Sequence, residues 1–234
     1  MEKQKPLNQL PQLFFIPFAG GNCYSYQFLK NYLPNYECIT LELPGRGRRM
    51  NELFLKDFDT ACADIFAQVK KKVSSNCFLI YGHSMGAMIT LKVTTLLENN
   101  NINPDRIIVT GSPGPGINDK RSLYLMDDIE FKRELKLIGG ISDDILQNSQ
   151  LFDYYAPILR ADFEVLEKGI EMSFFPSVSV PIYAVMGSDE DHSAEITNWS
   201  RFTKNRFSSK VLTGNHFFIY ENAAEIARII NHVY

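Results

Sequence analysis

The stretch CFLIYGHSMGAMITLKVTTLLE, residues 77–98, decides the fold of this chain. Its start is a short apolar run that predicts a buried β-strand, and its end predicts a helix. Between them Ser84 stands in the spacing G-x-S-x-G with Gly82 and Gly86. The spacing alone is a weak signal, but a strand before it and a helix after it are the context of a nucleophilic serine on a sharp turn. We therefore interpret Ser84 as a nucleophile raised clear of a sheet.

Glycine on both sides of the serine agrees with this interpretation. A strand-to-helix turn of this kind is strained, and side chains at Gly82 and Gly86 would collide with neighbouring backbone. The N-terminus of the helix that follows would also favour negative charge developing beside Ser84.

Outward from this stretch, short apolar runs alternate with helix-period segments. In residues 58–73, for example, apolar side chains recur at three- and four-residue steps. This alternation predicts an α/β fold, with a mostly parallel central sheet flanked by helices, in a single domain over residues 1–234. The predicted strands are residues 13–18, 37–42, 77–81, 106–110, 182–186 and 209–212.

One section, from about Ser112 to Phe175, has only helix-like pieces and is far longer than an ordinary connection. It is either a helical insertion that merely packs or a lid over the carboxyl edge of the sheet, and we favour the lid. The pair Gly139–Gly140 is either a hinge of this lid or the end of a helix. The apolar residues expected to cover Ser84 are Leu125, Phe131, Leu135, Leu137, Ile138, Leu151 and Tyr155.

Composition excludes several classes of function. The net charge of −3 provides no basic field for nucleic acid, and no apolar run approaches the ~20 residues that span a bilayer. The opening MEKQKPLNQLPQL has no apolar stretch of signal-peptide length, and the four cysteines show no C-x-x-C spacing. We therefore expect a cytoplasmic protein with free thiols, no metal site and no cofactor.

A nucleophilic serine needs a general base, and the chain offers His83, His192, His216 and His232. His216, in TGNHFF, follows a late strand-like run and precedes the last helix, where the order serine, acid, histidine requires the base. His83 adjoins the serine and should point away to pack, and His232 should lie on the surface of the last helix. His192 would serve only if another group oriented it.

The acid should follow a strand between the serine and the histidine. The segment IYAVMGSDEDHS, residues 182–193, offers Asp189, Glu190 and Asp191, and a buried carboxylate there would hold His216 in the correct tautomer. Asp162 is a more remote candidate. The residues alone leave this choice open.

An oxyanion hole requires two backbone N–H groups. One should come from Met85, directly after the nucleophile, and the other from the loop after the first strand. Pro17 in that loop has no N–H, so we assign the second donor to Ala19. Donors of this kind typically account for about 2.7–4 kcal/mol of transition-state stabilisation each.

The chain resembles the type II thioesterases, the stand-alone editing enzymes of nonribosomal peptide and polyketide synthases, nearly from end to end. The segments that carry the resemblance are FIPFAGG, LELPGRGRR, YGHSMGAMI, LIGGISDDIL, YAPILRADFEVLE and TGNHFFI. The resemblance implies an α/β-hydrolase fold, with Ser84 as nucleophile, His216 as base, and Ala19 and Met85 as oxyanion donors. The family usually has aspartate three residues after the glycine that ends the strand, and that position holds Glu190 here. We favour Asp189 or Asp191, because aspartate is the usual acid.

The same resemblance implies the reaction, the hydrolysis of acyl or aminoacyl thioesters on the phosphopantetheine arm of carrier-protein domains. It implies carrier proteins as partners, and we expect the enzyme to act as a monomer. Two alternatives remain: a carboxylester or lipid hydrolase on the same fold, and a catalytically silent accessory protein that only binds.

Overall fold

The structure, a computed structural model, describes residues 10–117, 121–172 and 175–232. Residues 1–9, which begin the opening segment analysed for a signal peptide, lie outside the described residues. So do residues 118–120 and 173–174 of the predicted lid, and residues 233–234 of the predicted domain.

Within the described ranges, six parallel strands form one sheet, in the order β2-β1-β3-β4-β5-β6. The predicted parallel sheet is confirmed, and each strand predicted from the sequence lies within a few residues of an observed one. The strands are β1 (Gln12–Ile16), β2 (Glu37–Thr40), β3 (Phe78–His83), β4 (Arg106–Thr110), β5 (Ile182–Gly187) and β6 (Phe207–Leu212).

The helices lie between the strands in the predicted alternation. In the described residues they are α1 (Gln27–Lys30), α2 (Phe58–Lys72), α3 (Met85–Glu98), α4 (Asp128–Ile138), α5 (Asp143–Gln147), α6 (Ser149–Met172) and α7 (Ala223–Asn231). Short 3₁₀ helices cover Gly47–Arg49, Leu123–Leu125 and Ser193–Phe202. The start of α2 illustrates the local cause, because the side chain of Asp57 accepts the N–H of Thr60 and caps the helix.

The two faces of the sheet bury separate cores, which is why β1 is buried at every position and apolar from Leu13 to Ile16. Phe14 and Ile16 point to one face and pack with α2, α3 and the C-terminal half of α6. Leu13 and Phe15 point to the other face and pack with α1 and α7. Helices therefore cover both faces, as predicted.

In its described part, the connection between β4 and β5 contains helices and no named strand, and it builds a small core of its own. Phe131 and Leu135 on α4 pack with Phe152 and Leu159 on α6. Gly139 ends α4 at a φ of 83°, so this glycine terminates a helix. Whether the segment moves as a lid stays a prediction. No helix in the described part of the chain is long and apolar enough to cross a membrane.

Candidate active site

Ser84 lies alone between β3, which ends at His83, and α3, which begins at Met85. Its φ of 56° and ψ of −120° are a strained backbone conformation for a residue with a side chain. A Cβ atom at Gly82 would lie 2.2 Å from the carbonyl oxygen of Gly86, and one at Gly86 would lie 2.6 Å from that of Ile16. The predicted collisions are therefore real, and only glycine lets β1, β3 and α3 approach this closely.

Three side chains form a continuous hydrogen-bonded line from this turn. Ser84 Oγ lies 2.9 Å from His216 Nε2, and His216 Nδ1 lies 2.6 Å from Glu190 Oε1. An ionised carboxylate can only accept, so Nδ1 carries the hydrogen and Nε2 is free to accept a proton from Ser84. The structure thus brings together Ser84 and His216, residues that the sequence separates by more than half the chain.

The preference for an aspartate as the acid is corrected by the geometry. Asp189 points to Ser188, at 2.7 Å between Oδ1 and Oγ, and Asp191 is 78% exposed beside Arg121. Glu190 is the carboxylate on His216, and its side chain is only 6% exposed.

The turn after β5 explains why the middle carboxylate faces inward. The N–H of Glu190 returns to the carbonyl of Gly187, while Glu190 Oε2 accepts the N–H of Gly187 at 2.6 Å. These two contacts fold Glu190 back over the end of β5, towards His216. In the sequence, the acid was indicated by its position three residues after Gly187, where Glu190 stands, and not by its residue type.

Asp162, the remote candidate for the acid, contacts other groups than His216. Its buried carboxylate pairs with Arg46 and accepts the N–H of Gly20 at 2.7 Å. The sequence did not indicate either of these partners.

The other histidines are accounted for without a role as the base. His83 is fully buried, its Nδ1 lies 3.0 Å from Thr110 Oγ1, and its ring centroid lies 4.9 Å from that of His216. Burial, and secondarily the charge on His216, hold the pKa of His83 well below its usual value. His192 lies 3.7 Å from Glu195, and His232 is exposed just after α7.

The loop after β1 narrows the choice of oxyanion donor. Its N–H groups from Gly20 to Tyr24 already donate to acceptors in the protein, namely Asp162, Phe18, Ser25, Glu42 and Asn22. Ala19 precedes this occupied run and lines the same cavity as Ser84. Met85 opens α3, where the first N–H groups have no partner within the helix. The positions of Ala19 and Met85 therefore suit the predicted oxyanion hole, whose use remains a proposal.

The serine opens into a cavity of about 780 Å³. This volume falls in the ordinary range for ligand sites, about 300–1,000 Å³. Several of the apolar residues predicted to cover Ser84 line it, and they are Leu135, Leu137, Ile138 and Tyr155. Phe131 instead fills the core between α4 and α6, while Leu125 and Leu151 are exposed. Among the described residues, no cluster of three or more His, Cys, Asp or Glu is arranged to hold a metal ion.

Comparisons with known proteins agree with this architecture. Residues 11–234 match the model of the thioesterase domain family. The chain is 30% identical to the gramicidin S biosynthesis protein GrsT of Aneurinibacillus migulanus, over 92% of this chain and 85% of GrsT. It is 26% identical to the thioesterase PikA5 of Streptomyces venezuelae, over 96% of this chain and 81% of PikA5. The solved structure of YbtT, a type II thioesterase from the yersiniabactin NRPS/PKS biosynthetic pathway, superposes with a TM-score of 0.84 at 25% identity and covers 97% of this chain and 94% of its own.

Proposed function

This chain belongs to the thioesterase domain family, and from that premise we propose that it is an editing thioesterase of nonribosomal peptide or polyketide synthesis. Its substrates would be acyl and aminoacyl thioesters on the phosphopantetheine arm of carrier proteins. The relatives from gramicidin S and yersiniabactin synthesis support this assignment of pathway class. The observation that carries the chemistry is the hydrogen-bonded line Ser84–His216–Glu190, whose three residues line the cavity of about 780 Å³.

In the proposed reaction, His216 Nε2 takes the proton of Ser84 as Oγ attacks the thioester carbonyl carbon. The carbonyl oxygen becomes an oxyanion that accepts hydrogen bonds from the N–H groups of Ala19 and Met85. When the carbon–sulfur bond breaks, His216 returns its proton to the leaving thiolate. A water molecule, deprotonated by His216, then attacks the acyl-serine and releases the free acid and Ser84.

Glu190 assists by holding His216 in the tautomer that this proton transfer requires. Its contact with Nδ1 also stabilises the positive charge that His216 acquires in the transition state. The neighbouring His83 has a depressed pKa, so it stays neutral and places no second charge against that imidazolium.

The remaining expectations from the sequence belong to the same proposal. We take residues 1–234 as one domain that acts as a monomer in the cytoplasm, with the segment of about 112–175 as a lid. The carrier protein would deliver its thioester into the cavity that this segment shares with Ser84.

The direct test compares acyl-pantetheine thioesters with matched oxygen esters. We expect the thioester to have the higher kcat/KM and Ser84→Ala to lower turnover by about 10⁶-fold. Ser112→Ala is the matched control, because Ser112 lines the same cavity outside the proposed triad, and it should keep turnover within about threefold. A preference for the oxygen ester would indicate a carboxylester hydrolase. More than a percent of activity in Ser84→Ala would remove Ser84 from the mechanism.

A further inference from the structure

A buried ion pair joins three segments of the chain beside the active site. Arg46 belongs to the loop after β2, and Asp162 lies on α6, within the helical connection. Their side chains are 3% and 1% exposed. The third segment is the loop after β1, whose Gly20 N–H donates to Asp162 Oδ2 at 2.7 Å.

Both oxygens of Asp162 are engaged in this contact. Arg46 Nη2 donates to Oδ1 at 2.6 Å, and Arg46 Nη1 donates to Oδ2. A buried ion pair often adds little to stability, because removing two charges from water offsets much of their attraction. What the Arg46 guanidinium clearly provides is orientation, since a two-point contact fixes the plane of the carboxylate.

The same helix holds the loop by a second contact. Gly20 has a φ of 77°, and a Cβ atom there would lie 2.7 Å from Leu159 Cδ2. Leu159 and Asp162 are three residues apart on α6, so they lie on one face of the helix. That face therefore meets the loop with an apolar group and a hydrogen-bond acceptor together.

Glu42 also joins the loops that follow β1 and β2, but farther along both. It accepts the N–H groups of Cys23 and Arg48. The N–H that Asp162 accepts belongs to the residue directly after Ala19. Asp162 is thus the carboxylate that fixes the peptide adjoining the proposed oxyanion donor.

We propose that Asp162 is a positioning residue for the oxyanion hole, and that Arg46 keeps its carboxylate in place. Through Gly20, Asp162 holds the backbone of Ala19 at the distance that the oxyanion requires, and it makes that distance depend on the position of α6. This inference rests on the proposed function, because it assumes that Ala19 donates to the reacting carbonyl oxygen.

Two double variants separate positioning from mere stability. Both Arg46→Met with Asp162→Leu and Arg46→Met with Asp162→Asn lack the ion pair, and leucine and asparagine are similar in size. Only asparagine retains an oxygen that can accept the Gly20 N–H. We expect the leucine variant to lose about 10²-fold in kcat, as small misplacements of catalytic groups do, with KM little changed. The asparagine variant should recover at least tenfold of that loss.

The rate at which a fluorophosphonate labels Ser84 provides a readout that needs no natural substrate. The labelling rate should be lowest in the leucine variant and partly recovered in the asparagine variant, as kcat is, because the phosphonyl oxygen also needs the oxyanion hole. Thermal unfolding of each variant measures stability separately. Arg106→Met is the matched control. Arg106 is a buried arginine that donates to the carbonyls of Ile230 and His232, and it lies at the start of β4, the end of the strand away from Ser84. The substitution should lower stability and leave the labelling rate unchanged.

Equal labelling rates in the two double variants, or a wild-type rate in the leucine variant, would overturn the proposal. If neither double variant folds, Arg46→Lys decides, because it keeps the charge but loses the two-point contact. A lower kcat at unchanged KM in Arg46→Lys supports positioning, and a wild-type labelling rate contradicts it. If the wild-type protein is labelled but hydrolyses no thioester, the proposed substrate class fails while the labelling rates still test Asp162.

Discussion

Replacing Glu190 by glutamine would keep the size of the side chain and leave it one acceptor oxygen. Glu190 uses both of its oxygens, Oε1 on His216 Nδ1 and Oε2 on the N–H of Gly187, each at 2.6 Å. The Gly187 N–H cannot rotate away, so the amide oxygen must face it to avoid two donors in contact. The amide NH₂ is then directed at His216 Nδ1. That nitrogen can meet it only as an acceptor, which moves the ring hydrogen to Nε2.

In this tautomer His216 donates to Ser84 and cannot take its proton. The equivalent acid-to-amide change in a serine protease lowers kcat by about 10⁴-fold, or ~5.5 kcal/mol of transition-state stabilisation. The same loss is expected here, because the Gly187 contact removes the alternative orientation of the amide. Folding should be affected little, since size is conserved.

The assay is steady-state hydrolysis of an acyl-pantetheine thioester by Glu190→Gln, with Asp189→Asn and Asp191→Asn as matched controls. Asp189 contacts Ser188 and Asp191 contacts Arg121, so both control variants should stay within about threefold of wild type. The reasoning is refuted if Glu190→Gln keeps more than a tenth of wild-type kcat, or if either aspartate variant loses 10³-fold.

Three further outcomes follow from the geometry. Gly86→Ala should lower stability by about 1–3 kcal/mol in urea unfolding, because its Cβ would lie 2.6 Å from the carbonyl oxygen of Ile16, and an unchanged midpoint would contradict this. His83→Asn should flatten the fall in stability between pH 7 and pH 5. Since the pKa of folded His83 is depressed, the unfolded chain takes up the proton first as the pH falls. The free energy of unfolding then falls by at most about 1.4 kcal/mol per pH unit below pH ~6.5. Identical slopes of unfolding free energy against pH in wild type and variant would exclude this. Hydrogen exchange in residues 121–172 should be faster than in the sheet and should slow when an acyl carrier protein binds, whereas uniform protection would indicate a rigid cap.

The fold was readable from the sequence because its signals are local and repeated. The strands β1, β3, β4 and β5 each contain a short apolar run, and β1 is apolar from Leu13 to Ile16 because helices cover both of its faces. The turn at Ser84 was readable for a related reason. Only glycine at positions 82 and 86 avoids a collision with neighbouring backbone, so the steric constraint fixes the residue type at both positions and can be recognised in the sequence.

Contacts between distant segments leave no such local signal. Which of Asp189, Glu190 and Asp191 faces His216 depends on a turn closed by the Gly187 backbone, and a run of acidic residues has no periodicity from which to infer it. Only the family's spacing from Gly187, and not the residues themselves, indicated Glu190.

Asp162 was considered as an acid because it is a carboxylate between the serine and the histidine. Its partners Arg46 and Gly20 come from loops more than a hundred residues earlier. Those loops meet α6 only because β1 and β2 are neighbours in the sheet and α6 packs over the cavity. From the sequence alone, a carboxylate at this position could therefore serve either to orient the catalytic histidine during proton transfer or to position a backbone loop. Only the observed donors, a guanidinium and a backbone N–H, distinguish the two, because neither of them exchanges its proton during the proposed reaction.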